Sequence, residues 1–373
     1  MTTLARSGFR AVVLAAVLCS PAVAQDQDNT GFGTSAGEFL LFGAGARGTA
    51  LGGSVAALTT DVTALYYNPG DLALITQPGA IVSTYSYLAD TRYSWAGLGF
   101  PMSGGSRALG LSVGTFGFSG QPVYTLESPD GTGETYSVAQ TFVAGTYSQN
   151  FSDRFSAGFT AKIISDKLGR TSATAFAVDF GTNFHATVGQ RPIRGAFVIT
   201  NLGTPLKHTG AALDETVLRE PPQGTQDVPQ QEQPTSLQTS SWSLPVLFRV
   251  AVALDLVTSA QQRLTLLGEF TQPNNNKPGA GAGLEYALSS IGTSGIFAAA
   301  RGSYTLQPAN SLDPGTGAGF TSKYSVGSFS SYGMAVGGGI GWGRGDFKLG
   351  FDYAYKNLGA LGGTNFVSLT VAW

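Results

Sequence analysis

The feature that most limits what this chain can fold into is a two-residue alternation that returns again and again after residue 80. Over 346–356, Phe347, Leu349, Phe351, Tyr353 and Tyr355 fall on one side, and Lys348, Gly350, Asp352, Ala354 and Lys356 on the other. Phe155, Ala157, Phe159, Ala161 and Ile163 alternate in the same way. So do Phe176, Val178, Phe180 and Phe184 against Asp179 and Asn183, and Val246 to Leu256 against Arg249 and Asp255. A helix repeats its apolar positions every three to four residues. Period two is a strand with one apolar face.

Marking each such segment predicts strands at 80–88, 91–100, 106–118, 136–149, 154–166, 173–185, 193–202, 244–256, 262–272, 279–288, 293–305, 331–342, 346–356 and 364–373. The connections sort by parity. Those after even-numbered strands are short, and all the long ones (119–135, 203–243 and 306–330) follow odd-numbered strands. A membrane barrel has tight turns at its periplasmic end and long loops outside, and only closure leaves no unpaired edge in lipid. The expected fold is therefore all-β: a 14-stranded antiparallel transmembrane outer-membrane β-barrel over 80–373, with an N-terminal hatch.

Composition excludes the competing classes. Only 12% of the 373 residues are charged, 52 are glycine, and 41 are Phe, Trp or Tyr, against about 25% charged and 7% glycine in an ordinary soluble domain. A disordered chain needs high charge and few aromatics. Beyond the N-terminus, no apolar run reaches the roughly 20 residues of a spanning helix. The net charge of −2, without a Lys/Arg cluster, is not that of a nucleic-acid binder.

Residues 1–24 read as a secretory signal peptide. Arg6 and Arg10 precede the apolar run Ala11–Leu18, and Ala22-Val23-Ala24 precedes cleavage before Gln25. Cleavage removes Cys19, the single cysteine, so the mature chain has no disulfide and no thiolate ligand. The expected location is the bacterial outer membrane, with outer-membrane lipid as the surrounding partner. The last strand ends on Trp373, an aromatic terminus similar to the signal that barrel-assembly machinery reads. Tyr93, Trp95, Phe100 and Trp342 join it as candidates for interfacial girdles.

If apolar faces meet lipid, the opposite faces line a lumen. Lys162, Asp179, Arg249, Asp255, Glu269, Glu285, Arg301, Lys348, Asp352 and Lys356 then point inward, five acids and five bases. A balanced set predicts ion pairs bracing a mostly filled interior; a polar conduit is the alternative. Residues 25–79 do not alternate. They are rich in Gly and Ala, with a short helix expected over Asp61–Tyr67, and form the expected hatch or plug.

The block Glu38-Phe39-Leu40, then Gly43 through Arg47 to Leu51-Gly52-Gly53, then Asp61 through Tyr67 to Asn68-Pro69 and Leu72, resembles the PorV/PorQ family of the FadL-like outer-membrane barrels. Thr200-Asn201-Leu202-Gly203, Leu244-Pro245 and Asp352 to Tyr355 extend the resemblance over nearly the whole mature chain. One departure is Gly70, where the family usually has Ala after Asn-Pro. The resemblance implies a fourteen-strand barrel with an N-terminal plug whose hatch motif is Phe39, Leu40, Gly43, Arg47, Gly52, Gly53, Asn68, Pro69 and Leu72. It further implies a non-enzymatic part in type IX secretion, binding secreted cargo at the cell surface and handing it to attachment components. FadL-like relatives instead move hydrophobic small molecules.

Chemistry is scarce. His185 and His208 lie on different elements, no Gly-x-Ser-x-Gly elbow is present, and no ligand set suits a metal; no cofactor and no catalysis are expected. Loop 203–243 holds five prolines, with six glutamines falling in 223–238, and is too long for a simple turn. It is either a mobile loop or a partner-binding surface through Leu213, Val217, Leu218, Leu237 and Trp242. Two functions remain open: a cargo-binding secretion factor, and an uptake channel whose hatch shifts.

Overall fold

The computed structural model describes residues 33–219, 231–291, 295–306, 333–359 and 362–373. The signal peptide, the tip of loop 203–243 and most of loop 306–330 lie outside the described residues. So does Cys19.

Fourteen antiparallel strands close on themselves. They are β1 (Gly79–Ser86), β2 (Arg92–Met102), β3 (Arg107–Pro122), β4 (Thr135–Ser152), β5 (Phe155–Leu168), β6 (Thr171–Val188) and β7 (Arg191–Gly203), followed after a long excursion by seven more. That excursion contains β8 (Asp214–Arg219) and β9 (Gln231–Ser236), a separate two-stranded hairpin outside the barrel. The wall then continues with β10 (Leu247–Thr258), β11 (Gln262–Pro273), β12 (Gly279–Ile291), β13 (Ile296–Leu306), β14 (Met334–Arg344), β15 (Phe347–Asn357) and β16 (Gly363–Ala372). β1 closes the ring against β16, from Gly79 opposite Ala372 to Thr84 opposite Val367.

The predicted strands all form, with ends moved by a few residues. The parity of the loops holds as well. The connections 103–106, 153–154, 189–190, 259–261, 292–295 and 345–346 share the end where β1 begins and β16 finishes. The opposite end carries 123–134, 204–246 and 307–333. Transmembrane barrels of this kind turn their short-turn end to the periplasm.

Alternation sets the two surfaces. Phe347, Leu349, Phe351, Tyr353 and Tyr355 are exposed on the outer face of β15, while Ala354 is buried. β10 buries Arg249, Ala251, Ala253 and Asp255 inside. β2 departs from the expectation. Tyr93 and Trp95 are buried in the lumen, whereas Leu98 and Phe100 face outward. Those two outward residues fix the pleat, and a period of two then forces Tyr93 and Trp95 in. Of the expected girdle residues, Phe100, Trp342 and Trp373 lie exposed on the outside.

Thr200-Asn201 forms a bulge opposite Asp179, where the β6–β7 register shifts. Asn201 adopts φ 62°, a left-handed conformation that Asn tolerates better than most residues. Its backbone N–H donates to Asp179 Oδ1 at 2.8 Å, and its side-chain oxygen accepts from Lys162 Nζ at 2.8 Å.

Candidate functional site

The interior is filled by residues 33–78, which thread the barrel from one end to the other. The segment starts at the long-loop end, where Ser35 bridges Ser243 and Ala36 N–H donates to the Ser243 carbonyl. It ends at the short-turn end, where Gly79 opens β1. Between these lie short helical turns at Glu38–Leu41, Ala46–Ala50, Ala64–Tyr67 and Pro69–Leu74. Such short turns cannot hold themselves in water. Their stability comes from the wall and from each other.

Tyr66 and Tyr67 organise the upper half. The Tyr66 hydroxyl accepts from Gly43 N–H and donates to the Leu40 carbonyl, both at 2.8 Å. Tyr67 OH accepts from Ala44 N–H at 3.2 Å and lies so close to Gly48 that a Cβ there would sit 2.3 Å from it. Ala46 N–H donates to Ser368 Oγ on β16, and Ser303 Oγ on β13 donates to the Ala50 carbonyl. Gly52 and Gly53 both take positive φ and reverse the chain beside that wall. Phe39, Leu40 and Leu72 are buried in the same core.

Asn68 fastens the lower half. Its Nδ2 donates to the Ala56 carbonyl at 2.7 Å and to the Thr182 carbonyl on β6 at 3.1 Å, while its oxygen accepts from Gly70 N–H. Pro69 and Gly70 lie directly on the wall: a Cβ on Gly70 would be 2.7 Å from the Gly181 carbonyl oxygen. The departure of Gly70 from Asn-Pro-Ala thus has a steric cause. Asp71, fully buried, accepts from Thr59 Oγ1 and Asn183 Nδ2, each at 2.5 Å, and from Asn68. Burial raises its pKa well above the usual carboxyl value against the pull of Thr59, Asn183 and the Arg194 charge.

Arg47 joins this segment to the opposite wall. Its Nε and Nη2 donate to Glu285 at 2.8 and 2.9 Å, and Nη1 donates to Asp61 at 2.5 Å. Burial alone would lower the Arg47 pKa; the Glu285 and Asp61 carboxylates outweigh it and raise it. Glu285 also receives Arg301 at 2.7 Å and Arg263 at 3.2 Å, and Arg301 reaches on to Asp352 at 2.5 Å.

The ten predicted inward charges divide. Lys162 pairs with Asp179 at 2.7 Å, Arg249 with Glu269 at 4.0 Å, and Arg301 with both Glu285 and Asp352. Asp255 pairs at 2.5 Å with Arg194, which the sequence reading omitted although it shares the inward phase of Ala196 and Val198 on β7. Arg263 was omitted in the same way, in phase with Thr265, Leu267 and Glu269. Lys348 and Lys356 make no ion pair among the described residues; Lys348 lies exposed at the short-turn rim.

Below Arg47 the filling is incomplete. A chamber of about 450 Å³ lies between the segment and β11–β16, at the short-turn end. Val62, Ile75, Leu288 and Phe297 give it apolar wall, and Arg47, Asp61, Arg263, Glu285, Lys348 and Asp352 give it charge. β14 makes room for it: Gly337, Gly339 and Gly341 sit opposite Ala354, Asp352 and Gly350. A Cβ on Gly339 would lie 2.1 Å from the Asp352 carboxylate, and one on Gly341 would lie 2.1 Å from the Phe297 ring.

At the long-loop end, Val217, Leu218, Leu237 and Trp242 are exposed and Leu213 is partly so. Leu126 is 98% exposed. The described parts of the excursion 203–243 are paired, where a simple loop was expected. Leu206 and Trp242 exchange backbone hydrogen bonds, and β8 pairs with β9. Trp373 N–H donates to the Pro78 carbonyl, tying the chain end to the exit of the segment. Among the described residues, no cluster of His, Cys, Asp and Glu suits a metal.

No family model and no curated protein matches this chain. Solved structures do. The toluene transporter TodX of Pseudomonas putida superposes with a TM-score of 0.52 at 10% identity, over 88% of this chain and 96% of its own. The monoaromatic hydrocarbon channel CymD gives 0.53 at 11% identity, over 88% and 96%. A FadL homologue of Pseudomonas aeruginosa gives 0.46 at 11% identity, over 88% and 98%. The first two show a shared fold, which in this chain is a closed fourteen-strand barrel.

Proposed function

We propose that this chain is an outer-membrane channel of the FadL-like kind that passes small hydrophobic molecules, with residues 33–78 as its hatch. The observation that carries the reading is the 450 Å³ chamber between hatch and wall, which is of the size that small-molecule sites occupy. Its fold is that of proteins named for toluene and monoaromatic hydrocarbon transport, which weighs for this reading over secretion of the PorV/PorQ type. The hatch meets the wall through polar contacts at Ala46, Arg47, Ala50, Asn68, Gly70 and Asp71 and through buried apolar side chains, none of which is a strand pairing. The test is uptake of labelled toluene by cells with an intact lipopolysaccharide layer and no channel of their own. Expression of the chain accelerates uptake several-fold if the reading holds; an unchanged rate refutes it.

A second reading rests on one specific observation, the exposed apolar residues Leu126, Val217, Leu218, Leu237 and Trp242 at the long-loop end. In that reading they grip a secreted cargo protein or a type IX attachment component. Affinity capture from solubilised outer membranes, with and without 203–243, tests it: secretion components lost with the loop support it, and bound lipid or hydrocarbon alone counts against it.

A further inference from the structure

Phe42 of the hatch sits in a cage of three rings that belong to the wall and its loop. Its ring centroid is 4.8 Å from that of Tyr87, and edge-on to Phe116 at 4.9 Å and to Tyr93 at 5.8 Å. These are preferred separations and angles for aromatic pairs. Tyr87 follows β1, Tyr93 lies on β2 and Phe116 on β3, all toward the long-loop end. Phe42, Tyr87 and Phe116 keep part of their surface accessible, while Tyr93 has none, so Tyr93 is the floor of the cage. The backbone on either side of Phe42 is already held by Tyr66, which accepts from Gly43 N–H and donates to the Leu40 carbonyl. With that backbone held, vacating the cage calls for a turn of the Phe42 side chain and not for movement of the chain.

A second observation says what the cage is for. Among the described residues, the completely buried Tyr93 hydroxyl has no hydrogen-bond partner, and Trp95 Nε1, two residues along the same inward face, has none either. A buried donor without an acceptor is costly, and phenylalanine at position 93 would fill the same space without that cost. A cage built for a plain hydrocarbon has no use for the hydroxyl. We propose that the Phe42 ring stands in for a ligand in a site that takes a small aromatic molecule carrying one hydrogen-bond acceptor, such as an aryl ketone, whose ring replaces that of Phe42 and whose oxygen accepts from Tyr93 O–H. The inference rests on the channel reading above and narrows its passenger.

Acetophenone and ethylbenzene have nearly the same shape and differ by the carbonyl, so they are the probes. Their binding to the purified full-length chain in detergent is measured by quenching of tryptophan fluorescence, in the wild type, Tyr93→Phe and Phe42→Ala. The wild type is expected to bind acetophenone about tenfold more tightly, because a site that donates to a ligand oxygen discriminates strongly against the analogue lacking it. Tyr93→Phe abolishes that preference and leaves ethylbenzene affinity unchanged; Phe42→Ala tightens both. Equal affinities in the wild type, or a preference that survives Tyr93→Phe, overturn the proposal. Tyr93→Phe keeps the ring, and an unchanged heat-modifiable gel shift shows that the barrel is intact. If cells take up both probes alike and binding shows no preference, the cage inference fails and the channel reading stands. If neither probe enters, the channel reading fails, whatever the purified protein binds.

Discussion

Gly158 on β5 and Gly181 on β6 stand directly opposite each other, and together they form a bare patch of inner wall on which the backbone of Pro69 and Gly70 rests. A Cβ on Gly158 would lie 2.2 Å from the Pro69 carbonyl oxygen, and one on Gly181 would lie 2.1 Å from Asn68 Oδ1. The strands are fixed by their ladder, so a side chain here acts on the turn, which the hydrogen bonds of Asn68, Gly70 and Asp71 and local packing hold down. The hatch is seated by the absence of two side chains.

Gly158→Val therefore lifts the Asn68–Asp71 turn off the wall while the barrel still closes. Forcing atoms into a packed interior costs about 1–3 kcal/mol. The expected outcome is a larger single-channel conductance in planar bilayers and greater sensitivity of cells to bulky antibiotics. A conductance equal to that of the wild type would show that this patch does not seat the hatch.

Glu285 receives three guanidinium groups, from Arg47, Arg263 and Arg301, with its side chain 1% exposed. Removing one member of a buried ionic cluster strands the others, at a cost of about 3–5 kcal/mol. Glu285→Ala is expected to lower the thermal unfolding midpoint in detergent markedly, and Arg47→Ala to lower it less. The double variant should fall well short of the sum of the two. Additive losses would separate Arg47 from the cluster.

Asp71 gives a pH dependence of definite sign. Its carboxyl titrates well above the usual range in the folded chain because of burial. Such a group favours the folded state most where it is protonated in both states, and the advantage declines as pH rises from its unfolded value toward its folded one. Asp71→Asn keeps an oxygen for Asn68 and Asn183 and turns an N–H toward Thr59. Relative to this variant, the wild type should gain stability as the pH is lowered from 7 toward 4, measured by urea unfolding in detergent. A difference that is flat across that range contradicts the assignment.

The direction of threading is open to labelling, because no cysteine follows Cys19. Thr34 is exposed at the long-loop end and Thr76 at the short-turn end. In intact cells, a membrane-impermeant maleimide should modify Thr34→Cys readily. Thr76→Cys should react only once the outer membrane is permeabilised. The reverse pattern would invert the barrel.

The wall was legible in the sequence because its outward side chains are large and its inward ones small or polar, so Phe347, Leu349 and Phe351 announce their own face. β2 defeats that rule locally. Tyr93 and Trp95 are large and inward because they pack on the hatch, a contact that periodicity cannot show. The inward charges followed from alternation, and Arg194 and Arg263 were missed only because the face was not traced to the strand ends. The β8–β9 hairpin was hidden by a polar sequence in which Gln231, Gln233 and Pro234 mimic a structureless loop. Gly158 and Gly181 carried no local signal at all, since their purpose lies 88 to 113 residues away, at Asn68–Gly70.

The channel account requires the hatch to move, and one engineered bond tests that directly. Ser54 of the hatch has its Cβ 3.6 Å from where a Cβ on Gly281 of β12 would stand, within the range of a disulfide. In cells carrying Ser54→Cys with Gly281→Cys, toluene uptake should be blocked under oxidising conditions and restored by dithiothreitol, with both single variants transporting like the wild type. Undiminished uptake with the bond fully formed would contradict the account.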